Sequence, residues 1–424
     1  MLKELRLSHW KSFDQATLYI DSLIILIGTN ASGKSNTLDA LQFLQRVASG
    51  VSIFQAINGD VNLPQIRGGM EWVCRKPARE FTLTLTLGGE TEQQDYRYSL
   101  SVQVNGAKAE VSGEELVLLK YGSRSQTAKE SRLFYTQPQE ANTPGIPAYF
   151  STGTKGPGRR IDVSRSHCVL AQADALNLRK EVQEGVKRVL SCLQQIFVFD
   201  PIPSHMRDYK PFSDQLQADG SNIAGVLAAL APERKVEVEA TLTSYLKALP
   251  ERDIQRVWTE PVGKFQTDAM LYCQEGWMGY QDGETDSAAH TVDARGMSDG
   301  TLRYLAIVTA MLTRQPGSLL VIEEVDNGLH PSRATVLVEM LRTLGKERGI
   351  DVVITTHNPA LLDAAGAAMV PFITVVHRDN TTGASLLTLL EDIQQLPKLM
   401  AAGSLGRLSS EGRIEAALKQ ESPQ

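Results

Sequence analysis

The sequence predicts an α/β fold in which a parallel sheet is split by an inserted unit, and three observations carry that prediction. Leu23 to Ile27 is a short continuous apolar run, followed at once by a glycine-rich loop and an amphipathic helix pattern. From about residue 301 to residue 376 the chain returns to alternating helix and strand patterns. Between these stretches lies a long region of different periodicity, first of two residues and then helical.

Each element follows from its own pattern. The opening residues read as strand, turn, strand. Leu38, Leu41 and Leu44 recur at helical spacing, so a helix begins near Lys34. Residues 81–87 alternate strictly (FTLTLTL) and stop at Gly88-Gly89. Tyr98, Leu100, Val102 and Val104 alternate up to Asn105-Gly106, a dipeptide that accepts the left-handed backbone of a tight hairpin. An antiparallel β subdomain is therefore expected after the first helix. Residues 122–165 are rich in Ser, Thr, Gly, Pro and Gln and read as a long exposed loop. From about 171 to 249 the periodicity is helical, broken at Asp200-Pro201-Ile202-Pro203. A helix from about 301, a strand at 319–322, a helix over 332–346 and strands at 352–355 and 372–376 complete the chain. The expected units are an N-terminal lobe over 1–121, a loop and helical insertion over 122–285, and a C-terminal lobe over 286–424.

Composition bounds the function. A chain of 424 residues with 42% hydrophobic content can bury two or three cores. No run reaches the roughly 18–20 apolar residues that span a bilayer, and the start is charged rather than signal-like. A cytoplasmic protein with no membrane partner is expected. Cys74, Cys168, Cys192 and Cys273 lie far apart with no C-x-x-C pair, which suits reduced thiols and argues against zinc. A net charge of -6 does not advertise an obligate nucleic-acid binder, although a local basic groove is compatible with it.

Two motifs carry chemistry. Gly28-Thr29-Asn30-Ala31-Ser32-Gly33-Lys34-Ser35 fits G-x-x-x-x-G-K-[ST] at every position, with Asn36 next in the helix. Such a loop turns successive N–H groups toward phosphate, and the helix behind it aims its positive end at the same anion. Lys34 would meet the β and γ phosphates, and the Ser35 hydroxyl would ligate Mg²⁺. The second motif is the run Leu319-Leu320-Val321-Ile322 ending in Glu323-Glu324. Carboxylates at the carboxyl end of a parallel strand lie where open α/β sheets bind ligands. Glu323 would serve the Mg²⁺ shell, and Glu324 would polarise an attacking water. ATP and Mg²⁺ are thus the expected ligands.

Further motifs carry a family resemblance. Gly296-Met297-Ser298-Asp299-Gly300-Thr301 resembles the signature motif of ATP-binding-cassette (ABC) ATPases and lies about 20 residues before the double-glutamate strand. Asn327-Gly328-Leu329-His330-Pro331 resembles the D-loop, and Thr355-Thr356-His357-Asn358 the switch-histidine motif. Within that class the chain is similar to the RecF-like and SMC-like branch. More narrowly, "LRLSHWKSF", "MSDGTLRYLA", "IEEVDNGLHP" and "LQADGSNIAGVLAAL" resemble stand-alone bacterial ATPases related to the overcoming-lysogenization-defect nucleases, a group that includes Septu- and RloA-type phage-defence ATPases.

That resemblance implies an ABC-type ATPase head with an antiparallel β subdomain and an inserted helical domain. It implies a homodimer, or a higher oligomer, whose heads sandwich two ATP molecules. Ser298, Asp299 and Gly300 would then complete the partner's site rather than their own, with His357 sensing the γ-phosphate. Asn327, Gly328 and His330 would pack at the interface. Ser-x-Gly before a helix also makes an ordinary cap, but in register with the four other motifs it reads as the signature. The chain departs from the class in having Glu323 where many members have Asp. The family's metal-ligating glutamine is best matched by Gln65, with Gln93 and Gln94 behind it. The residues after His357 hold no Asp-x-Asp, so a nuclease or toxin is expected to be a separate partner. Three functions follow: an ATPase controlling such an effector in antiphage defence, a DNA-repair or chromosome-maintenance ATPase clamping DNA, and a scaffold glued by unhydrolysed ATP.

Overall fold

The computed structural model describes residues 1–122, 127–139, 143–250, 254–276 and 291–421. The chain opens with β1 (Leu2–Ser8), β2 (Gln15–Tyr19) and β3 (Leu23–Ile27), and the glycine loop then leads into a helix over Lys34–Ala48. Next come β4 (Glu80–Gly88), β5 (Gln94–Asn105), β6 (Lys108–Tyr121), β7 (Ala128–Thr136), β8 (Gly145–Phe150) and β9 (Arg159–Ser164). These form an eight-stranded antiparallel sheet in the order β2-β1-β4-β5-β6-β7-β8-β9. The alternation of β4 is realised side by side. Phe81, Leu83, Leu85 and Leu87 are buried, while Thr82 and Thr84 meet Ser101 and Ser99 across the ladder at 2.7 and 2.8 Å.

The described residues of 122–165, all but 123–126 and 140–142, do not form the long exposed loop that the composition suggests. They supply β7, β8 and β9, which extend the sheet and bury Leu133, Phe134, Ile146, Ala148 and Phe150. Each strand is short and flanked by turn-forming residues, so composition averaged over the whole stretch conceals three separate apolar faces.

The next segment holds helices over Val169–Ala173, Lys180–Gln194, Ile223–Ala229 and Pro232–Lys247. Between and after them lie strands that the helical periodicity did not reveal: β10 (Ile196–Phe199), β11 (Lys210–Pro211), β12 (Ile254–Val262), β13 (Asp268–Glu275) and β14 (Thr291–Asp293). β11 to β14 make a small antiparallel sheet around β13. β10 instead joins the core sheet with β15 (Leu319–Ile322), β16 (Asp351–Thr355), β17 (Ile373–Arg378) and β18 (Ser385–Leu389). That sheet runs β10-β15-β16-β3-β17-β18, parallel except for the β17–β18 hairpin.

All five residues of β3 are buried, and they divide between two cores. Leu23, Ile25 and Ile27 pack with the helices Asp299–Thr313 and Ala334–Arg348, whereas Ile24 and Leu26 pack with the helix Lys34–Ala48 and the antiparallel sheet. Trp10, Phe43 and Phe81 lock that second core with ring centroids 4.9–5.7 Å apart.

A buried carboxylate pins the antiparallel sheet to the helices beside it. Glu114 on β6 accepts hydrogen bonds from the main-chain N–H groups of Val169 (2.6 Å) and Leu170 (2.7 Å) and from the Tyr98 hydroxyl (2.9 Å). Burial pushes its pKa from 4.5 up to about 7, against the pull of those three donors. A raised folded-state pKa means that this group's stabilising contribution is fully present below 4.5 and is lost as pH rises through about 7. Relative to Glu114→Gln, the wild type should therefore lose about 3 kcal/mol of unfolding free energy over that interval, read by urea denaturation. A difference that stays constant with pH would show that the carboxyl titrates in the folded chain as it does in the unfolded one.

Candidate functional site

The parallel order β15-β16-β3 sets three carboxyl ends side by side. The glycine loop leaves β3, Glu323 and Glu324 leave β15, and Thr355 to His357 leave β16. Gly28 and Gly33 have φ of 144° and 121°. A Cβ on Gly28 would lie 2.1 Å from the Val376 carbonyl oxygen, so no other residue fits the loop's first turn. Ala31 takes a left-handed φ of 62°. The main-chain N–H groups of Gly33, Lys34 and Ser35 find no acceptor among the described residues, as expected of a cradle for phosphate oxygens. The buried Ser32 hydroxyl likewise has no partner among them.

The Lys34 ammonium folds back over the loop and donates to the carbonyls of Gly28 (2.5 Å) and Thr29 (3.0 Å). Burial lowers its pKa, and the nearby charges of Glu324 and Glu323 oppose that shift. Asn30 is exposed on the loop. Asn36 turns aside, donating its amide to the Ser12 hydroxyl at 2.8 Å.

Ser35 and Glu323, 288 residues apart in sequence, are brought into direct hydrogen bond. A hydroxyl and a carboxylate in contact fit Mg²⁺, which takes oxygen ligands and keeps several waters. Gln65 does not reach this pair; its amide lies 3.4 Å from the Asn58 side chain and packs over Gly69. Gln93 and Gln94 lie at the β4–β5 turn. The residue that does arrive is Arg67. Its guanidinium donates to Glu323 at 2.8 and 3.0 Å, to Asp39 at 2.8 Å and to the Ser35 carbonyl at 3.2 Å. Lys11 closes the network by pairing with Asp39. The one local hint was the Arg67-Gly68-Gly69 run, whose glycines both take positive φ (81° and 51°) to turn the chain at the site.

Glu324 is exposed and holds φ of 46°, a left-handed backbone that a glutamate adopts only under constraint. The constraint is visible. Its N–H donates to the Thr355 hydroxyl at 2.8 Å, and its carbonyl accepts from the buried Arg303 at 2.9 Å. Arg303 also bonds the carbonyls of Glu323 (2.9 Å) and Pro201 (2.6 Å) and the Asp200 carboxylate (3.3 Å). No sequence signal singled it out.

Arg303 stands on the helix Asp299–Thr313, whose cap is Ser298: the hydroxyl accepts from the Thr301 N–H at 3.1 Å. The capping reading of Ser298 thus holds in the single chain. Arg207 clamps the loop before it, donating to the carbonyls of Ala294, Arg295 and Met297 and pairing with Asp299. Gly300 abuts the D-loop, where a Cβ would lie 2.8 Å from the Gly328 carbonyl. Asn327 donates its N–H to the Glu324 carbonyl, and His330 caps the turn at Pro331–Arg333. His357 is exposed at the end of β16 and makes no hydrogen bond among the described residues. No hydrogen bond among those residues joins Ser298, Asp299 or Gly300 to the glycine loop.

The family described as "AAA domain, putative AbiEii toxin, Type IV TA system" matches residues 23–139 and 208–363, well over half of the chain and both halves of this site. The chain belongs to that family. The fold of this AAA-domain chain is similar to a solved SMC head bound to the C-winged helix domain of ScpA, at 12% identity and a TM-score of 0.52, covering 91% of this chain and 97% of the other. It is likewise similar to an SMC head with an extended coiled coil bound to the C-terminal domain of ScpA, derived from Pyrococcus furiosus, at 13% identity and a TM-score of 0.50, covering 94% and 99%. The similarity to these SMC heads bears out the expected ATPase-head fold. No curated protein matches the chain. Among the described residues no helix is long and apolar enough to cross a membrane.

Proposed function

We propose that the chain is an ATP-hydrolysing subunit whose heads close in pairs around ATP and thereby control a separate effector, a nuclease or toxin, in antiphage defence. The observation that carries the ATPase reading is the convergence of Lys34 and Ser35 behind β3 with Glu323 and Glu324 behind β15, across the carboxyl end of the intervening β16. The loop's free N–H groups and Lys34 would hold the phosphates. Ser35 and Glu323 would hold Mg²⁺, which supplies charge neutralisation on the phosphates when bound. Arg67, already paired with Glu323, stands ready to release it and turn to a phosphate oxygen instead. Glu324 would orient and deprotonate the attacking water, its exposed carboxylate fixed by the constrained backbone beneath it.

The dimer reading is supported by what the signature residues do not touch. Ser298 and Gly300 sit at a helix N-terminus with no bond to their own glycine loop, so their free anion-binding end is available to the nucleotide of a second head. The effector reading is supported by the resemblance of the motifs to those of phage-defence ATPases, and the family's description names a type IV toxin–antitoxin system. His357 and His330, both exposed, would face the γ-phosphate and the opposite subunit respectively.

Complementation between two inactive chains tests the architecture. Ser298→Arg should keep ATP binding yet hydrolyse none, and Lys34→Ala should do neither. Mixed, they pair one intact loop with one intact signature and should regain about one working site in two. If tagged chains exchange and phosphate release stays at zero, the paired-head arrangement is wrong.

A further inference from the structure

β10 ends the core sheet, and its outer edge is open. The Leu319 N–H donates to the Gln195 carbonyl and the Glu323 N–H to the Phe199 carbonyl, so the odd-numbered residues of this strand face β15. By the alternation of a parallel ladder, the N–H and C=O of Ile196 and Val198 point the other way. Neither finds a backbone or side-chain partner among the described residues. Further along, the edge is already covered, because Asp200 and Ile202 donate to the carbonyls of Ala218 and Asp219 at 2.9 Å each. The open stretch carries none of the usual guards of an exposed edge: its sequence is IFVF, with no lysine, proline or bulge.

The edge lies along a groove of about 640 Å³. Carboxamides line it from several directions, among them Gln42, Gln45, Gln195, Gln215 and Gln315, groups that can both donate to and accept from a main chain. Arg314 stands in the same groove with its guanidinium 4.6 Å from the centre of the Phe197 ring. It has no carboxylate partner among the described residues, and its buried Nε makes no hydrogen bond among them. Burial alone lowers its pKa, with no neighbouring charge opposing the shift. The other charged side chains of the groove are Arg46, whose guanidinium bonds the Ala56 carbonyl, and the exposed Asp214. An unpaired arginine fixed on an aromatic ring beside open main-chain groups asks for a carboxylate carried on an extended backbone.

We propose that β10 and Arg314 form a docking groove for an extended segment of a partner protein, which adds a strand at Ile196–Val198 and places an acidic side chain on Arg314. This is strand addition at a sheet edge, in which main-chain bonds give affinity and one side-chain pair gives selectivity. The surface is separate from the nucleotide loop, so its occupancy can be read without ATP.

The test uses the full chain and fluorescein-labelled hexapeptides of alternating Val and Thr with one Glu, read by fluorescence anisotropy. Saturable binding is expected, weakened about tenfold or more when Glu is replaced by Gln, and lost when alternate peptide nitrogens are methylated. Arg314→Gln should make the Glu and Gln peptides bind alike. Val198→Pro removes one outward N–H, spares the N–H groups of Phe197 and Phe199 that serve β15, and should weaken both peptides, with thermal melting confirming the fold. The proposal is overturned by absence of saturable binding, by equal affinity of the wild type for Glu and Gln peptides, or by indifference to N-methylation. It is also overturned by concentration-dependent self-association that Val198→Pro abolishes, which would assign the edge to a second copy of this chain.

Discussion

Glu324→Gln is expected to bind ATP as tightly as the wild type and to hydrolyse it about 10²–10⁴-fold more slowly. Gln keeps the volume and loses the base, and no hydrogen bond among the described residues depends on that carboxylate, although its charge helps to keep the nearby Lys34 ammonium protonated. The groups that fix residue 324 act on its main chain: Thr355 accepts its N–H and Arg303 bonds its carbonyl. The left-handed φ of 46° is therefore retained in the variant, whereas a β-branched replacement would add strain and confuse the result. Phosphate release under excess ATP, together with nucleotide affinity from a fluorescent analogue, separates the two effects. Turnover at the wild-type rate would move the base to Glu323, whose carboxylate is already engaged by Ser35 and Arg67.

Arg303→Ala is expected to cost about 2–4 kcal/mol of stability, because three carbonyls lose one shared, buried cationic donor, the exposed Asp200 carboxylate adding little. The guanidinium reaches them only because it is planar and offers five N–H groups. Arg303→Lys keeps the charge and concentrates the donors on one atom, so it should hold some of these partners and lose the rest. For that variant we expect urea denaturation to show a partial loss of stability. Turnover should fall more than ATP affinity does, since the glycine loop is untouched while the turn bearing Glu324 is loosened. Unchanged stability and unchanged turnover in Arg303→Lys would mean that the turn is held by Thr355 alone. The same residue joins the helix capped by Ser298 to the carboxyl end of β15, so a displacement of either is felt by the other.

What could be read from the sequence was whatever rests on neighbours in the chain. The glycine loop declares itself because backbone geometry forces glycine at Gly28 and Gly33. The pair Glu323-Glu324 does so because a four-residue apolar strand precedes it. The alternation of 81–87 fixed the buried face of β4 residue by residue. What could not be read depended on partners far away. Arg67 matters because Glu323, 256 residues later, folds onto it, and no local pattern marks an arginine as so placed. Gln65, two positions earlier, was favoured by residue type and points elsewhere. β10 is four residues long and follows a helix directly, so its apolar run passes for one more helical turn until β15 is set beside it. β7, β8 and β9 failed for a related reason, since their strand patterns are short and their connections dominate the composition.

The division of β3 between two cores has a consequence for how the chain is made. Its ladder neighbours are β16 and β17, which leave the ribosome more than 320 residues after it. The strand that carries the glycine loop is thus synthesised long before the strands that pair with it. Until β16 and β17 arrive, five consecutive apolar residues have neither hydrogen-bonded neighbours nor a second core to enter. Contacts of such long sequence separation are slow to close and leave an aggregation-prone segment exposed meanwhile. Nascent chains stopped before residue 351 should therefore bind no nucleotide, and acquisition of ATP binding during synthesis would mark the arrival of β16 and β17 beside β3.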